Sequence, residues 1–267
     1  MSLGIVVKAP EGLVLAAESR LTLQGENRTT GEKFVVSFDN ATKLLAFGPA
    51  DRPRSVAAVT YGQAAIGSRT AAGFLPEFEA QIGDDILTTE EFSKKLSDFY
   101  VDQWRNAMPA DYSGPNMTFV VGGYDRPNAY GRVFIIEIPA NPQVREQNAG
   151  DENFGITWGG QSDFMDRLLR GYDRRVPDLV AKALKLTPAR KKELEAALLQ
   201  VVMPLPLAAM PLQDCVDLAV FFIRTTIAAQ SLTIGNRGVG GPIDVATITR
   251  SRGLEFIKRK QIQIDER

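Results

Sequence analysis

A mixed α+β architecture, with helices packed outside sheets, follows from the order in which two hydrophobic periods alternate along the chain. Short β-branched runs fill the first sixty or so residues, helical periods follow, strands return, then helices, then a last strand. No internal repeat, low-complexity stretch or clear linker breaks this order. The 267 residues therefore read as one domain, with an extra helical insertion around 174–211.

Each element has its own signal. Residues 3–7 and 13–19 are apolar runs across Pro10, Glu11 and Gly12, a turn signal, so they predict a hairpin at the start. Residues 20–31 are polar, with Gly25 and Gly31, and read as a loop. Residues 34–38, 43–47 and 56–61 are further strands, and the last two are nearly continuous in apolar residues, as expected where both faces are covered. Residues 64–82 read as a helix through Ile66, Phe74, Phe78 and Ile82, kinked by Pro76 or starting near it. Residues 88–108 are a stronger helix: Thr88 and Glu91 have capping-box spacing, and Phe92, Leu96, Phe99 and Tyr100 share one face. Strands return at 117–122, 132–138 and 154–158. Helices follow at 162–172, at 187–202 behind a Thr187-Pro188 cap, and at 212–229, before a strand at 243–249.

Composition removes whole classes of chemistry. There is no histidine and one cysteine. Ser-His-Asp and Cys-His machinery, imidazole zinc sites and intrachain disulfides are therefore excluded. Any base must come from Lys, Asp, Glu, Tyr or the terminal amine. The net charge of -1 argues against a nucleic-acid partner. The longest apolar run, 201–212, holds Pro204, Pro206 and Pro211 and is too short for a bilayer, and no secretory signal is evident, so a cytoplasmic protein is expected. Gly238, Gly240 and Gly241 stand between a helix and a strand, the wrong context for a dinucleotide loop. Cys215 reads as a small buried hydrophobe, the run from Arg190 to Lys192 as a solvated helix face, Asp84 and Asp85 as loop residues and Trp158 as core.

One constellation remains. If the first two strands pair, Ser2 approaches the end of the second, where Glu18 and Arg20 share a side by the two-residue period; Lys43 opens a strand that can lie beside them. A hydroxyl, a carboxylate, a guanidinium and an ammonium then meet in one place. Removal of Met1 would add a free α-amine, whose ordinary pKa of about 7.7–8.0 suits a base near neutral pH.

These residues carry a family resemblance. Gly12-Leu13-Val14-Leu15-Ala16-Ala17-Glu18-Ser19-Arg20 resembles the early strand of proteasome β subunits, and Lys43-Leu44-Leu45 the strand with the family's active-site lysine. Residues 59–65 are similar to the junction that carries the oxyanion glycine. Gly122-Gly123-Tyr124-Asp125 with Arg132-Val133-Phe134, residues 159–164, and residues 240–245 complete six blocks in family order.

The resemblance implies a four-layer αββα sandwich of the N-terminal-nucleophile hydrolases and cleavage of amide bonds in a peptide or unfolded protein. It implies Ser2 as nucleophile, Lys43 and the amine as proton managers, Glu18 as the group holding Lys43, Arg20 beside them, and the Gly62 N–H as oxyanion donor. Thr60, Tyr61 and Ala64 would border the substrate pocket. Copies of the chain in a ring or helical oligomer are the implied partners, with room for an ATPase regulator; no membrane, cofactor or metal is foreseen. The family's supporting serine falls on Gly160, with Ser162 as the nearby hydroxyl, and its late Asp and Ser fall near Asn236 and Val239. An inactive structural subunit and a small-molecule amidase of the same superfamily are the alternatives.

Overall fold

The computed structural model describes residues 2–26, 30–49, 53–235 and 237–262. Its elements, in chain order, are β1 (Leu3–Ala9), β2 (Gly12–Glu18), β3 (Leu21–Glu26), β4 (Lys33–Phe38), β5 (Leu44–Ala46), β6 (Val56–Gly62), β7 (Ala65–Ile66), β8 (Arg69–Thr70), α1 (Leu75–Ile82), α2 (Thr89–Ala107), β9 (Met117–Gly123), β10 (Arg132–Ile138), β11 (Asn141–Gln147), β12 (Gly155–Gly160), α3 (Asp163–Arg170), α4 (Val176–Ala183), α5 (Pro188–Leu198), α6 (Leu212–Leu232), β13 (Ile243–Thr249) and β14 (Gly253–Lys258). Two antiparallel five-stranded sheets dominate. The first has the order β12-β1-β2-β13-β14, the second β11-β10-β9-β6-β5.

Alternation of side chains sorts the core into clusters. In β1 and β2, Leu3, Ile5, Val7, Val14 and Ala16 face α3 and α6, where Met165, Leu169, Ala219, Phe222 and Ile223 meet them. The intervening Val6, Leu13, Leu15 and Ala17 face the second sheet and pack on Leu44, Ala57, Val59 and Val120. The far face of the second sheet, with Leu45, Phe47, Ala58, Phe119 and Val121, packs on α1 and α2 through Phe78, Phe92, Leu96 and Tyr100. Strands covered on both faces lose the alternation of apolar and polar residues, which is why they read as nearly continuous apolar runs. Helix α6 is long and apolar enough to cross a bilayer by composition, but its Cys215, Val216, Ala219 and Phe222 are buried against the first sheet.

The expected initial hairpin is present, with Gly4 opposite Ala17 and Ala9 opposite Gly12. So is the capping box of α2, in which Thr88 accepts from the Glu91 N–H and the Glu91 side chain accepts from Thr88. Other expectations are corrected. The segment from residue 20 is not a loop: β3 pairs with β4 in a two-stranded ribbon, with Leu21 opposite Phe38 and Glu26 opposite Lys33. The ribbon belongs to neither large sheet and leaves Leu23, Phe34, Val35 and Phe38 exposed, so burial imposes no alternation to read. The helix expected over 64–82 is confined to α1. The β7-β8 pair and a 3-10 turn at Ala71–Phe74 precede it, and Pro76 sits in its first turn, where its missing N–H costs nothing. Strands β11 and β14 carry no clear strand signal in the sequence; both are edge strands with half-exposed polar residues, and Pro142 sits in β11, a position where a proline is tolerated. Helices α4 and α5 fall within residues 174–211 and bury none of their residues.

Candidate functional site

Antiparallel pairing brings several strand ends to one end of the molecule. Glu18 ends β2, Gly62 ends β6, Gly160 ends β12, Ser2 precedes β1 and Ile243 opens β13 opposite Glu18. Leu3 pairs with Gly160, which sets Ser2 against the end of β12. The Ser2 carbonyl accepts from the Gln161 N–H at 2.6 Å, and the residue is only 4% exposed.

Glu18 is the hub. It is fully buried, and an isolated carboxylate there would be costly, yet its oxygens are saturated. Oε1 accepts from the Leu3 N–H at 3.2 Å and from the Lys43 ammonium; Oε2 accepts from the Arg20 N–H at 2.7 Å and the Gly240 N–H at 3.0 Å. Three backbone donors and one ammonium thus fix one carboxylate. Lys43 also donates to the Arg20 carbonyl, and its own carbonyl accepts from the Thr60 N–H at 2.9 Å, which ties the lysine to β6. Burial pushes the Lys43 ammonium below the ordinary lysine value, and Glu18 opposes that shift.

A small pocket opens at this point. Ser2, Lys43, Thr60, Tyr61, Gly62 and Ala64 all line it, together with Leu21, Thr42 and Gln63. Its volume of about 20 Å3 holds roughly one water. The Thr60 hydroxyl is buried beside it and has no hydrogen-bond partner among the described residues. The Tyr61 ring instead packs over Gly4 and Gly159, where a Cβ on Gly159 would stand 2.2 Å from its hydroxyl. Its burial raises the phenol pKa well beyond the physiological range.

Two glycines have steric rather than catalytic reasons to be glycine. Gly62 has φ +88°, and a Cβ there would lie 2.0 Å from the Asn116 carbonyl oxygen. Gly160 has φ +95°, and a Cβ would lie 1.8 Å from the Ser2 carbonyl oxygen. A serine at position 160 is therefore incompatible with this placement of Ser2. The Ser162 hydroxyl is occupied elsewhere: it donates to Asp166 at 2.7 Å, a buried carboxylate that also accepts from Trp158 and pairs with Arg170. Val239 is core, its N–H donating to Gln230, and Asn236 lies outside the described residues.

Arg20 departs from the expected constellation. Its guanidinium turns to Asp39 and forms a two-pronged pair at 2.6 and 2.8 Å, with Nη1 on the Arg237 carbonyl. Only its backbone meets Glu18 and Lys43. Asp39 went unread because nothing local marks it: it follows the exposed ribbon and gains meaning only when the chain folds back on Arg20. Among the described residues no group of three or more Cys, Asp or Glu side chains is placed to hold a metal.

No family model matches the chain, and no curated protein matches it. Solved structures do. An Anbu (Gly-1) mutant from Hyphomicrobium sp. strain MC1 is 14% identical with a TM-score of 0.56, over 99% of this chain and 88% of that one. Anbu, described as an ancestral beta-subunit, from Yersinia bercovieri is 15% identical with a TM-score of 0.56, over 97% and 88%. The helical assembly of the Anbu complex from Pseudomonas aeruginosa gives 14%, 0.58, 99% and 88%. These findings correct the assignment to proteasome β subunits drawn from the six sequence blocks. The blocks consist largely of buried strand residues and of glycines such as Gly62 and Gly160, which the fold itself requires, so they report architecture and not family. What the chain shares with the Anbu structures is the fold.

Proposed function

We propose that the chain is an N-terminal-nucleophile amide hydrolase of the four-layer αββα type, built on the Anbu-like fold and acting on peptide bonds within an assembly of its own copies. The observation that carries this reading is the Glu18–Lys43 pair, buried and held by three backbone N–H groups, opening onto the same pocket as Ser2. Removal of Met1 leaves the Ser2 α-amine free. That amine takes the hydroxyl proton as Ser2 Oγ attacks the substrate carbonyl, and returns it to the departing amine. The Lys43 ammonium balances the charge that develops on the alkoxide and the oxyanion, and the Gly62 N–H faces the oxyanion. Water then hydrolyses the acyl ester and regenerates Ser2. Thr60, whose hydroxyl lacks a partner among the described residues, supplies a contact to substrate.

The helical assembly described for the Pseudomonas aeruginosa protein supports self-association as part of the reading. We place the protein in the cytoplasm, and treat 174–211 as an insertion in one domain. A structural subunit without turnover is the second reading. It is favoured by Gly160, which bears no hydroxyl, and by the engagement of the Ser162 hydroxyl with Asp166.

The test is labelling of untagged protein with an electrophilic inhibitor of N-terminal nucleophiles, read by intact mass and N-terminal sequencing. The hydrolase reading expects a chain that begins at Ser2, one inhibitor adduct, and loss of that adduct in Ser2→Ala with the unfolding midpoint unchanged. A retained Met1 or an adduct that persists in Ser2→Ala rejects it.

A further inference from the structure

Glu18 is held by three backbone N–H groups, and the third differs from the other two. Leu3 lies in β1, on the strand paired with that of Glu18, and Arg20 is two residues along the chain. Gly240 lies between α6 and β13, 222 positions from Glu18, so its N–H reaches the carboxylate only if residues 237–241 are themselves held. They are tied on two sides. Toward the site, the Gly240 carbonyl accepts from the Ser19 N–H at 3.1 Å and the Arg237 carbonyl from Arg20 Nη1 at 3.2 Å. A Cβ on Gly240 would stand 2.5 Å from the Arg20 guanidinium carbon, so the backbone must approach bare. Toward α6, the Val239 N–H donates to Gln230 Oε1 at 3.1 Å, and Arg237 Nη2 donates to the Ser231 carbonyl at 3.3 Å.

Gln230 is the residue in this chain of contacts with no structural need to be polar. It is 4% exposed, near the end of α6, and its partner Val239 belongs to the apolar cluster between α6 and the first sheet. Its Oε1 takes the Val239 N–H, while its Nε2 has no hydrogen-bond partner among the described residues. A buried amide satisfied on one side only costs free energy that an apolar side chain of the same size would not. The one bond it makes stands next in sequence to the N–H that grips Glu18.

We propose that Gln230 is a positioning residue: by accepting from Val239 it keeps the adjoining Gly240 N–H on Glu18, and so ties α6 to the Glu18–Lys43 pair. The proposal rests on the hydrolase reading above for its purpose. Glu18 Oε2 accepts from Gly240 and Arg20 while Oε1 accepts from Lys43 and Leu3, so the Gly240 bond helps fix the rotation of the carboxylate and with it the place of the Lys43 ammonium. Gln230 does this through two other residues and does not line the pocket.

The measurement is amide hydrogen exchange, read by NMR over a series of denaturant concentrations on the full-length protein, with the rate of inhibitor labelling as the second readout. In the wild type the Val239 and Gly240 amides are expected to open together, with the same dependence on denaturant. Gln230→Met keeps an unbranched shape and removes the acceptor. Thr226→Val removes a different buried hydrogen bond of α6, that to the Phe222 carbonyl, and serves as the control for a general loss of stability. Exchange at Gly240 is expected to be about tenfold faster in Gln230→Met than in Thr226→Val, the weight of one hydrogen bond. Gln230→Glu, buried and protonated, keeps a carbonyl acceptor and is expected to recover protection at Gly240. The limiting labelling rate at saturating inhibitor is expected to follow the same order, with the half-saturating concentration unchanged.

Gly240 exchange no faster in Gln230→Met than in Thr226→Val overturns the proposal. So do Val239 and Gly240 amides that open independently in the wild type, a comparison that needs no variant and decides the matter should Gln230→Met not fold. A protein that takes no label rejects the hydrolase reading and leaves the exchange result standing. A labelled protein whose limiting rate is the same in Gln230→Met as in the wild type rejects the positioning role and leaves the hydrolase reading standing.

Discussion

Two lysines are buried in the sheets, and they are buried differently. Lys43 stands before β5 with its ammonium on the buried Glu18 carboxylate and the Arg20 carbonyl, facing a pocket. Lys8 lies in β1, toward the opposite end, and is 2% exposed. Its ammonium donates only to carbonyls, those of Asn148 at 2.9 Å and Gly150 at 2.7 Å. Both of these residues have positive φ, so the loop after β11 is wound to turn its carbonyls inward. Burial lowers the pKa of each lysine first, and carboxylates oppose: Glu18 in contact for Lys43, Glu146 and Asp151 from further away for Lys8. The cover over Lys8 is one loop rather than a core, so its desolvation is the shallower of the two. A lysine held by carbonyls leaves no orphaned charge when it is lost. A lysine held by a buried carboxylate does, and that difference separates a loop clamp from a candidate catalytic pair.

The largest effect expected from this comparison is that of Lys43→Met. It leaves the Glu18 side chain buried without its counter-charge; removing one partner of a buried ion pair typically destabilises by about 3–5 kcal/mol. Urea unfolding at neutral pH checks this, and turnover, where present, is expected to fall by orders of magnitude. A change no larger than that of a surface substitution would show that Glu18 is satisfied by its backbone donors alone.

Glu18→Gln is next. It removes the charge that opposes desolvation of Lys43 and so lowers the lysine pKa further in the folded state. The sign then follows from linkage. Between the lowered folded pKa and 10.5 the unfolded chain binds the extra proton, so stability rises with pH across that window and is lost as pH falls through it. The unfolding midpoint of Glu18→Gln is expected to climb more steeply with alkaline pH than that of the wild type. A parallel pair of curves would sink the electrostatic account of Lys43.

The smallest effect belongs to Lys8→Met. No buried carboxylate is abandoned, and a methionine fills a similar volume, so stability at neutral pH is expected to change by about 1 kcal/mol or less. Its folded pKa is also lowered, so the wild-type lysine contributes a rise in stability with pH below 10.5, and that contribution is expected to vanish. Faster amide exchange around residues 148–151, with the site end unaltered, would identify the loop clamp. A loss of stability as large as that of Lys43→Met would erase the distinction between the two lysines.

Cys215 illustrates how much can be read locally. Burial, with Asp214 and Glu11 nearby, pushes its thiol up to about 11, in line with a small core hydrophobe. The same holds for the α2 capping box, the Thr187 cap of α5 and the paired β1 and β2, because each depends on residues a few positions apart. Strand β4 was legible and its partner β3 was not: Leu21–Glu26 carries a glycine and polar residues that read as a loop. Of the site, Ser2, Lys43, Thr60, Tyr61, Gly62 and Ala64 do line one pocket, whereas the Arg20 guanidinium belongs to Asp39.

The sequence by itself determined that strands such as β5 and β6 are covered on both faces, where α2 and α5 begin, and that no histidine is present, because composition and short-range periodicity carry that information. Only the tertiary structure decided how the Glu18 carboxylate is held. Its carboxylate is gripped by N–H groups of Leu3, Arg20 and Gly240, the last 222 positions away, and Lys43 reaches it from another sheet. Tertiary structure likewise decided that Gly160 must lack a side chain and that Lys260 closes on Asp244. Strand order and register set these approaches, and no local pattern of residues encodes a register with a strand two hundred positions away.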